Sequence, residues 1–418
     1  MLNFELRLEK LLMELSNEIS SILINQASED LAVSLKKQAY AKGGRKAIFR
    51  PLRFRLRTGH IVQTMGLYVK KLVDQAEWLG SRHLLENHWT IIGGSSPAHY
   101  DRVVFCAMLS PSYDIAQQAL TKFGVEQTIS GVRTLTNSLG THCEDREVEL
   151  STQPSDDLKD KQVVIGIDGG RTRTRCYTGQ ANKAGQATYE TPWREPRLFT
   201  IGVLDKQGKL EKEYPPIYGC RFDEEAIIDL LGQYLKHLNI HQAKLIQIVA
   251  DGAQWIWNRV KGLLIDLGVD TCRIVETLDY CHAVSYIYKL VGHLPNRVGK
   301  PARRSYVKQF KQWLWQGKSV DIVAKCKELY KRPSSDVNCW ITYLEKHIPR
   351  TQYTDYEING LMCGSGIIES GIRRVINLRF KNAGTFWKEH VVEDLYFLRA
   401  ILLAKRWDLM INNLAKGA

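Results

Sequence analysis

Three acidic residues in this 418-residue sequence occupy positions suited to phosphoryl chemistry. Asp168 ends the apolar run 163–167 and Asp251 ends the run 245–250, and a glycine follows each. Both runs predict buried strands. Glu369 comes three residues after a Gly-Ser-Gly sequence, where a helix is predicted to begin. Carboxylate oxygens are hard ligands, so the three residues together predict a site for a pair of Mg²⁺ or Mn²⁺ ions, which can promote displacement at phosphorus.

Each acid taken alone has a simpler interpretation. An Asp followed by Gly, such as Asp168, is common at turns. Glu369 would be favoured by the helix dipole in a first turn that Ser365 could cap, or it could pair with Arg373 four residues later. Each of these interpretations explains one acid but leaves the other two unexplained.

The charge balance indicates what kind of phosphate is involved. The chain has 58 Lys and Arg against 45 Asp and Glu, a net charge of +13 and an isoelectric point near 9.2. Such an excess suits a polyanionic partner, and nucleic acid fits better than an acidic membrane surface. With 44% hydrophobic and 25% charged residues, the chain has the composition of a folded protein with two or three domains.

The cysteines and the N-terminus point to the cytoplasm. The nine cysteines are an odd number and include no Cys-x-x-Cys pair, so they predict reduced thiols rather than disulfides or a zinc site. The N-terminus lacks the apolar core of a signal sequence. No stretch approaches the roughly 18 to 20 apolar residues that a membrane span requires. We therefore expect a soluble protein with no membrane association.

A basic segment at residues 36–57 contains nine Lys and Arg and no acid. Within it, alternation places Arg53, Arg55 and Arg57 on one face of a predicted strand and apolar residues on the other. Together with Arg50, this row of arginines predicts a contact with a nucleic-acid backbone.

Residues 112–139 show two helical patterns joined by a turn that contains Gly124. This is the outline of a helix-turn-helix, although any small helical hairpin has the same outline. Its second helix offers Gln127, Arg133 and Asn137 as candidates for contacts with bases. DNA recognition and simple packing both remain open here.

Over roughly residues 160–405, the sequence resembles the RNase H-like DDE transposases of bacterial insertion sequences. Four blocks carry the resemblance in that family's order: Ile-Asp-Gly-Gly-Arg at 167–171, Val-Ala-Asp-Gly-Ala-Gln-Trp-Ile-Trp at 249–257, Asp-Tyr-Cys-His at 279–282, and Gly-Ser-Gly-Ile-Ile-Glu at 364–369 with Arg373 and Arg374 after it. The first 150 residues match that family only in general organisation.

The resemblance implies a role for each matching residue. Asp168 and Asp251 would be the first and second catalytic aspartates and Glu369 the catalytic glutamate, and these three would bind two Mg²⁺ or Mn²⁺ ions per active site. Asp279 and His282 would be a supporting pair at the head of a helical insertion. The implied reaction is hydrolysis at transposon ends followed by attack of the freed 3′-OH on target DNA. The implied partners are terminal inverted repeats, target duplex DNA and further copies of the chain, in a cytoplasmic, nucleoid-associated protein.

The elements that would position these residues are those of an RNase H-like α/β core. Strands are predicted at 163–168, 197–205, about 209–214, 245–251 and 272–278, with helices on both faces of a mixed sheet. The segment 181–196 is predicted to be a loop beside the active site or a disordered excursion. The spacing of 118 positions from Asp251 to Glu369 requires an all-α insertion.

The predicted domains follow from this order of elements. They are a mainly helical DNA-binding region at 1–143, a linker at 144–161, the first part of the core at 162–282, a helical insertion at 283–360, and the C-terminal helices of the core at 361–418.

Further basic and aromatic residues lie near the acids in sequence. Arg171, Arg173 and Arg175 alternate with threonines just after Asp168 and predict a basic lip for the scissile phosphate. Of Trp255 and Trp257, one could stack on an unpaired base, while at this spacing the other more often packs in the core. On the last helices, residues that would contact flanking phosphates are Arg373, Arg374 and Lys381.

Two other classes of function stay open at this point. Residues 166–174 resemble the first phosphate loop of sugar kinases and ATPases of the actin-like fold, but a second phosphate strand and an adenosine loop are not found. A transposase-derived DNA-binding protein without catalysis would share the basic composition, and a structure-specific nuclease or resolvase could use the same acids.

Overall fold

The computed structural model describes residues 2–41, 45–74, 77–295, 298–382 and 385–416, and the chain divides into two compact units. Unit 1 comprises Met1–Ser151, His390–Leu402 and Arg406–Ala418, and unit 2 comprises Thr152–Glu389 and Leu403–Lys405. The first break between the units, after Ser151, falls inside the segment 144–161.

Both units contain helices and strands. The helices are α1 (Leu2–Ala41), α2 (Leu84–His88), α3 (Pro97–Leu109), α4 (Tyr113–Lys122), α5 (Ile129–Cys143), α6 (Glu147–Ser151), α7 (Glu224–His237), α8 (Gln254–Asp266), α9 (Tyr280–Gly292), α10 (Lys300–Trp315), α11 (Ser319–Leu329), α12 (Ser335–Lys346), α13 (Tyr353–Ile358), α14 (Gly366–Gly371), α15 (Leu378–Phe380), α16 (Glu389–Leu403) and α17 (Trp407–Lys416), and a π-helix covers Ile372–Asn377. The strands are β1 (Arg45–Arg55), β2 (Ile61–Asp74), β3 (Glu77–His83), β4 (Gln162–Gly169), β5 (Thr172–Arg173), β6 (Cys176–Ala181), β7 (Ala187–Glu190), β8 (Trp193–Arg194), β9 (Arg197–Leu204), β10 (Ile217–Arg221), β11 (Leu245–Ala250) and β12 (Ile274–Leu278). Short 3₁₀ helices cover Glu144–Arg146, Pro154–Asp156, Ile240–Gln242, Thr271–Arg273 and Ile348–Arg350.

Unit 1 combines helices with a three-stranded antiparallel sheet in the order β1-β2-β3. In β1, Leu52 and Phe54 are buried and pack with Leu35 of α1, while Arg53 between them is exposed. The alternation of faces predicted from the sequence is therefore present. Arg57 does not extend the row, because β1 ends at Arg55 and the chain then turns.

The helical pair at residues 112–139 is less suited to reading bases than its outline suggests. Helix α5 begins at Ile129, because the Thr128 hydroxyl caps it by accepting from the backbone N–H of Gly131. Among the three candidate base contacts, Arg133 is exposed, Asn137 is half-buried, and the side chain of Gln127 lies 3.2 Å from the ring of His99.

The C-terminal helices belong mostly to unit 1, which differs from the predicted assignment of 361–418 to the core. The guanidinium of Arg399 donates to the carbonyl of Met108. The Trp407 indole N–H donates to Asp101 Oδ1 at 2.6 Å. These buried polar contacts, made across about 300 positions of sequence, are the physical reason for the difference.

Unit 2 is built on a five-stranded sheet in the order β10-β9-β4-β11-β12. Strands β4, β9 and β10 pair antiparallel, and β11 and β12 run parallel to β4. This mixed sheet is compatible with an RNase H-like core. The prediction of a strand at 209–214 is wrong: the apolar run 217–220 pairs with β9 instead, and the charged segment before it contributes only a bridge from Leu210 to Leu204.

The segment 181–196 is ordered secondary structure rather than an irregular loop. Strands β6 and β7 form an antiparallel hairpin, and the flanking strands β5 and β8 also pair antiparallel. Cross-strand pairing of Tyr177 with Tyr189 contributes to the hairpin. The region between Asp279 and residue 360 is helical throughout its main elements, as predicted. None of the helices in the described ranges combines the length and apolarity needed to cross a membrane.

Glycines allow α14 and the π-helix after it to lie close against the sheet. A Cβ atom added to Gly166 of β4 would lie 3.0 Å from the Cβ of Ile368. A Cβ on Gly371 would lie 3.0 Å from Leu198 Cδ2 of β9. The helix backbone can therefore approach the strands where a larger residue would hold it away.

Substitution of Gly166 by Val should destabilise the protein by about 1 to 3 kcal/mol, because the new side chain would clash with Ile368. Val favours strands more than Gly does, so a loss must come from the contact with the helix. The measurement is the free energy of unfolding in urea. Gly262→Ala is the control: Gly262 lies within α8 with open space around it, and Ala there should be stabilising by up to about 1 kcal/mol. Equal stability of Gly166→Val and the wild type would contradict the close approach.

Candidate functional site

Asp168 and Asp251 lie side by side at the carboxyl ends of two parallel strands. Val249 of β11 is in register with Gly166 of β4. Two residues further along each strand, 249 + 2 and 166 + 2, are Asp251 and Asp168. Neighbouring strands lie about 4.8 Å apart, and residues two apart share a face, so both carboxylates emerge on one side at one edge of the sheet.

Each aspartate uses one oxygen locally. Asp168 Oδ1 accepts from the backbone N–H of Gly169 at 2.6 Å, and Asp251 Oδ1 accepts from the N–H of Ala253 at 3.0 Å. These bonds fix the orientation of the carboxylates. The Oδ2 atom of each makes no hydrogen bond with the described residues.

Glu369 reaches the same region from α14. Its neighbour Ile368 packs on Gly166, two residues before Asp168 in β4. The Glu369 side chain is exposed and forms no ion pair with Arg373 within the described part of the chain. Ser365 is at the N-cap position, but its side chain makes no capping hydrogen bond. The local interpretations of Glu369 therefore find no support in the contacts of its side chain.

The pKa of Asp168 reflects the negative charges of the acids near it. Burial, opposed by the hydrogen bond from Gly169, and then the negative charges of Asp251, Glu195 and Glu369 raise the pKa of Asp168 to about 6 from 3.8. A carboxyl group whose ionised form is disfavoured by burial and by three like charges is typical of a site that binds a cation.

Glu195 is a fourth acid that the sequence analysis missed. A Cβ atom on Gly169 would fall 2.2 Å from Glu195 Oε1, and the carbonyl of the next residue, Pro196, accepts from Gly170 N–H at 2.8 Å. Glu195 therefore lies beside the end of β4. Its position just before the strand predicted at 197–205 is the one signal in the sequence, and the pairing of that strand with β4 comes only from the structure.

These carboxylates have the right chemistry for a divalent ion, since their oxygens are hard, negatively charged donors. Across the described residues, no three His, Cys, Asp or Glu side chains already form a cluster ready to hold a metal ion. The set therefore fits Mg²⁺ or Mn²⁺ by donor type and charge, while its side chains are not gathered around one point.

Asp279 accepts hydrogen bonds from the backbone of two segments near the site. Its Oδ1 accepts from the N–H of His282, and its Oδ2 accepts from the N–H of Ser365 at 2.6 Å. Its own N–H donates to the carbonyl of Ala250 at 2.9 Å. Asp279 is 3% exposed. The buried Asp279 therefore connects the start of α9, the turn before α14 and the end of β11. Asp251 directly follows β11, and Glu369 lies on α14.

His282 and Tyr343 connect the helical insertion to the site. The ring of His282 contacts Tyr343, and Tyr343 stacks on Tyr286 with ring centroids 3.8 Å apart. The Tyr343 hydroxyl donates to the carbonyl of Asp251 at 2.6 Å. Gly252 adopts φ +101° beside this ring, where a Cβ would clash with it. No local pattern marks Tyr343 as part of the site, because it lies 92 residues from Asp251.

The predicted DNA-contacting residues are spread over both units. In unit 2, Arg171, Arg373 and Lys381 are exposed, whereas Arg173 lies over the Trp193 ring at 5.2 Å. Arg374 is exposed and donates to the carbonyl of Leu403 at 3.4 Å.

In unit 1, the arginines of the basic segment have different surroundings. Arg50 stacks over Tyr68 at 4.4 Å. Arg55 is half-buried and donates to the carbonyl of Gly59. Arg53 and Arg57 are exposed, so their guanidinium groups can reach a phosphate.

The two tryptophans after Asp251 have separate environments. Trp257 is 5% exposed and packs in the core. Trp255 is half-buried, with Arg197 over its ring at 5.4 Å.

Comparisons with known proteins find one distant structural likeness. No protein family and no curated protein matches the chain. Among solved structures, the chain is similar to the Drosophila P element transposase strand transfer complex, with 13% sequence identity and a TM-score of 0.37; the match covers 75% of this chain and 93% of that chain. A likeness at this level carries no weight for function, which therefore depends on the site.

Replacement of Asp168 by Asn should stabilise the metal-free protein at neutral pH. The pKa of Asp168 is raised, so the folded state binds its proton more tightly than the unfolded state, and wild-type stability falls as pH rises from about 4 to above 6. At pH 7.5 the variant should be more stable by up to about 3 kcal/mol, and near pH 3.5 the two should agree. Urea unfolding in EDTA measures both. A difference independent of pH would contradict the assignment.

Replacement of Asp279 by Asn should destabilise the metal-free protein by about 1 to 3 kcal/mol, because the amide nitrogen cannot accept from a backbone N–H. Urea unfolding in EDTA tests this. Asp229→Asn, an exposed change on α7, is the control and should alter stability by less than about 0.5 kcal/mol. If Asp279 acted only as a metal ligand, its replacement would leave the metal-free stability unchanged.

Proposed function

We propose that this protein is a DDE transposase that cleaves DNA at the ends of an insertion sequence and joins the freed 3′ ends to target DNA. The observation that supports it best is the convergence of Asp168, Asp251 and Glu369. Asp168 and Asp251 lie at the ends of two adjacent strands, and Glu369 lies on a helix packed against them. The negative charges of Asp251 and Glu369 both raise the pKa of Asp168. Such an acidic centre in a chain of net charge +13 suits a reaction at a nucleic-acid phosphate.

The carboxylates of Asp168, Asp251 and Glu369 would hold two Mg²⁺ or Mn²⁺ ions, which would supply charge stabilisation for the attacking and leaving oxygens. Glu195 is close enough to Asp168 to add to the negative field. Asp279 and Tyr343 act as positioning residues, because they bond to the backbone of the segments that carry the acids. The chain's own contribution is to fix the scissile phosphate relative to these oxygens.

DNA binding in this proposal is shared between basic residues of both units. Exposed arginines and lysines contact phosphates and give a salt-dependent affinity with little sequence preference. The proposed contacts in unit 1 are Arg50, Arg53, Arg55 and Arg57, and those in unit 2 are Arg171, Arg173, Arg373, Arg374 and Lys381; Arg55 and Arg173 are half-buried and the others are exposed. The substrates would be terminal inverted repeats and target duplex, bound by more than one copy of the chain.

The kinase alternative is disfavoured by the surroundings of the Gly169-Gly170 turn. A Cβ on Gly169 would meet the carboxylate of Glu195, and one on Gly170 would lie 2.7 Å from Ile376 Cδ1. The turn is thus covered by an acid and an apolar side chain. A loop that binds nucleotide phosphate needs exposed backbone N–H groups and no adjacent carboxylate.

A DNA-binding protein without catalysis would gain nothing from the acidic centre. The raised pKa of Asp168 means that its ionised form costs stability at neutral pH. Mutually repelling carboxylates also oppose the approach of phosphate unless cations are present. Their presence at neighbouring strand and helix ends favours a catalytic role over passive DNA binding.

The test is Mg²⁺-dependent cleavage and strand transfer on DNA that carries the element's own flanking repeats. Asp168→Asn, Asp251→Asn and Glu369→Gln should each lower the rate of cleavage by roughly 100-fold or more while DNA binding in EDTA is retained. Asp229→Asn, an exposed acid on α7 outside the site, should behave like the wild type.

Three results separate the proposal from its rivals. Joined products that disappear in all three site variants would support transposition. Nicked products without joining would indicate a nuclease or resolvase. Tight DNA binding by the wild type with no nicking under any divalent metal would favour the non-catalytic protein.

A further inference from the structure

An unusual surface lies on the segment that connects β4 to β9. Aromatic rings and basic groups alternate there, and we call them together the hairpin surface. Its members are Tyr177, Tyr189, Trp193, Arg173, Arg175 and Lys388. Five of these six residues lie between β4 and β9, and Lys388 lies just before α16; Glu195, near the end of the same connecting segment, lies beside Asp168.

Trp193 is the most informative member of the hairpin surface. Its side chain is 51% exposed. The guanidinium of Arg173 lies 5.2 Å from its ring centroid, and the Lys381 ammonium lies 5.8 Å from it. About half of the Trp193 surface stays exposed, and the ring lies between two cations rather than among apolar side chains, so core packing does not explain it.

The two tyrosines repeat this arrangement across the hairpin. Tyr177 and Tyr189 are 50% and 41% exposed, and their ring centroids lie 6.0 Å apart. Arg175 lies over Tyr189 at 4.3 Å, and Lys388 lies over Tyr177 at 5.8 Å. A cross-strand aromatic pair stabilises a hairpin by itself, which accounts for the tyrosines but not for Trp193 or for the cations.

The charge of this surface is not neutralised locally. Arg173, Arg175, Lys381 and Lys388 form no ion pair with any residue in the described ranges, whereas the neighbouring Arg194 pairs with Glu389 at 2.9 Å. Exposed aromatic rings can stack on bases, and cations without ion-pair partners can bind phosphates. A polyanion with exposed bases therefore suits this surface. Single-stranded DNA has both properties, and duplex DNA conceals its base faces.

The hairpin surface is continuous in sequence with the acidic centre. Trp193 lies two residues before Glu195, and Glu195 lies against Gly169, next to Asp168. Two residues of extended chain span about 7 Å. A strand whose phosphate lies at Asp168 would therefore pass within a few nucleotides of the Trp193 ring.

We propose that the hairpin surface binds unpaired nucleotides of the DNA strand next to the scissile phosphate, with the Trp193 ring stacking on a base. This inference rests on the proposed function for its biological setting. The binding itself requires neither metal nor catalysis. It adds to the proposed function that the substrate is opened or single-stranded close to the point of cleavage.

The experiment measures binding of fluorescent oligo(dT) and of a duplex of the same length by anisotropy in EDTA, with the full-length chain. Trp193→Leu removes the ring without changing the charge and should weaken oligo(dT) binding by about 5-fold to about 150-fold. Duplex binding should change by less than about 2-fold, and the salt dependence should stay the same because no phosphate contact is lost.

Two further variants make the result specific. Trp193→Phe retains an aromatic face and should recover most of the affinity for oligo(dT). Lys183→Gln, at an exposed position in the turn between β6 and β7, removes one charge of the same segment and should weaken oligo(dT) and duplex binding alike or leave both unchanged. Thermal unfolding of each variant shows whether the fold is intact.

The outcomes are distinguishable from those of the function test. Unchanged oligo(dT) affinity in Trp193→Leu would overturn the proposal even if cleavage by the wild type is robust. Equal losses for oligo(dT) and duplex would also overturn it, because they would mark a phosphate contact instead of stacking. A selective loss for oligo(dT) would support it even if no nicking is found.

Discussion

The close contact between α14 and β4 is the constraint on which the site depends. Glu369 lies 201 positions after Asp168 in sequence, so no local element can bring them together. Gly166 has no side chain, and Ile368 fills the space that one would occupy. Gly371 repeats this arrangement against β9 one turn later. If either glycine carried a larger side chain, the helix would move outward and Glu369 would leave the field of Asp168.

The same contact has an electrostatic consequence. It brings Glu369 near Asp168, and burial together with the negative charges of Asp251, Glu195 and Glu369 raises the pKa of Asp168 to about 6. The folded protein therefore carries an unfavourable charge at neutral pH when no cation is present. Functional sites often contain interactions that lower the stability of the folded state, whereas interactions elsewhere in a fold mostly raise it.

Two residues outside the acidic set complete the framework. Asp279 accepts backbone hydrogen bonds from the starts of both α9 and the turn before α14. Tyr343 reaches from α12 to the carbonyl of Asp251. The helical insertion is thus part of the support for the second strand end, and a change in α12 can influence the chemistry without contact with substrate.

The sequence determined which residues are available and which elements carry them. Its apolar runs predicted β4, β9, β11 and β12, and its alternation predicted the faces of β1, because strand burial leaves a local pattern. Shared motifs predicted Asp168, Asp251 and Glu369, although the registry of their strands and helix was unknown.

Tertiary structure alone decided how those residues meet. It placed Glu195 beside Asp168, bonded the Asp279 carboxylate to the backbone of two segments, and assigned most of the C-terminal helices to unit 1. It also ordered residues 181–196 into a hairpin with exposed rings. Each of these outcomes depends on contacts between distant segments, whose geometry is set by packing and strand register and leaves no periodic signal in the chain.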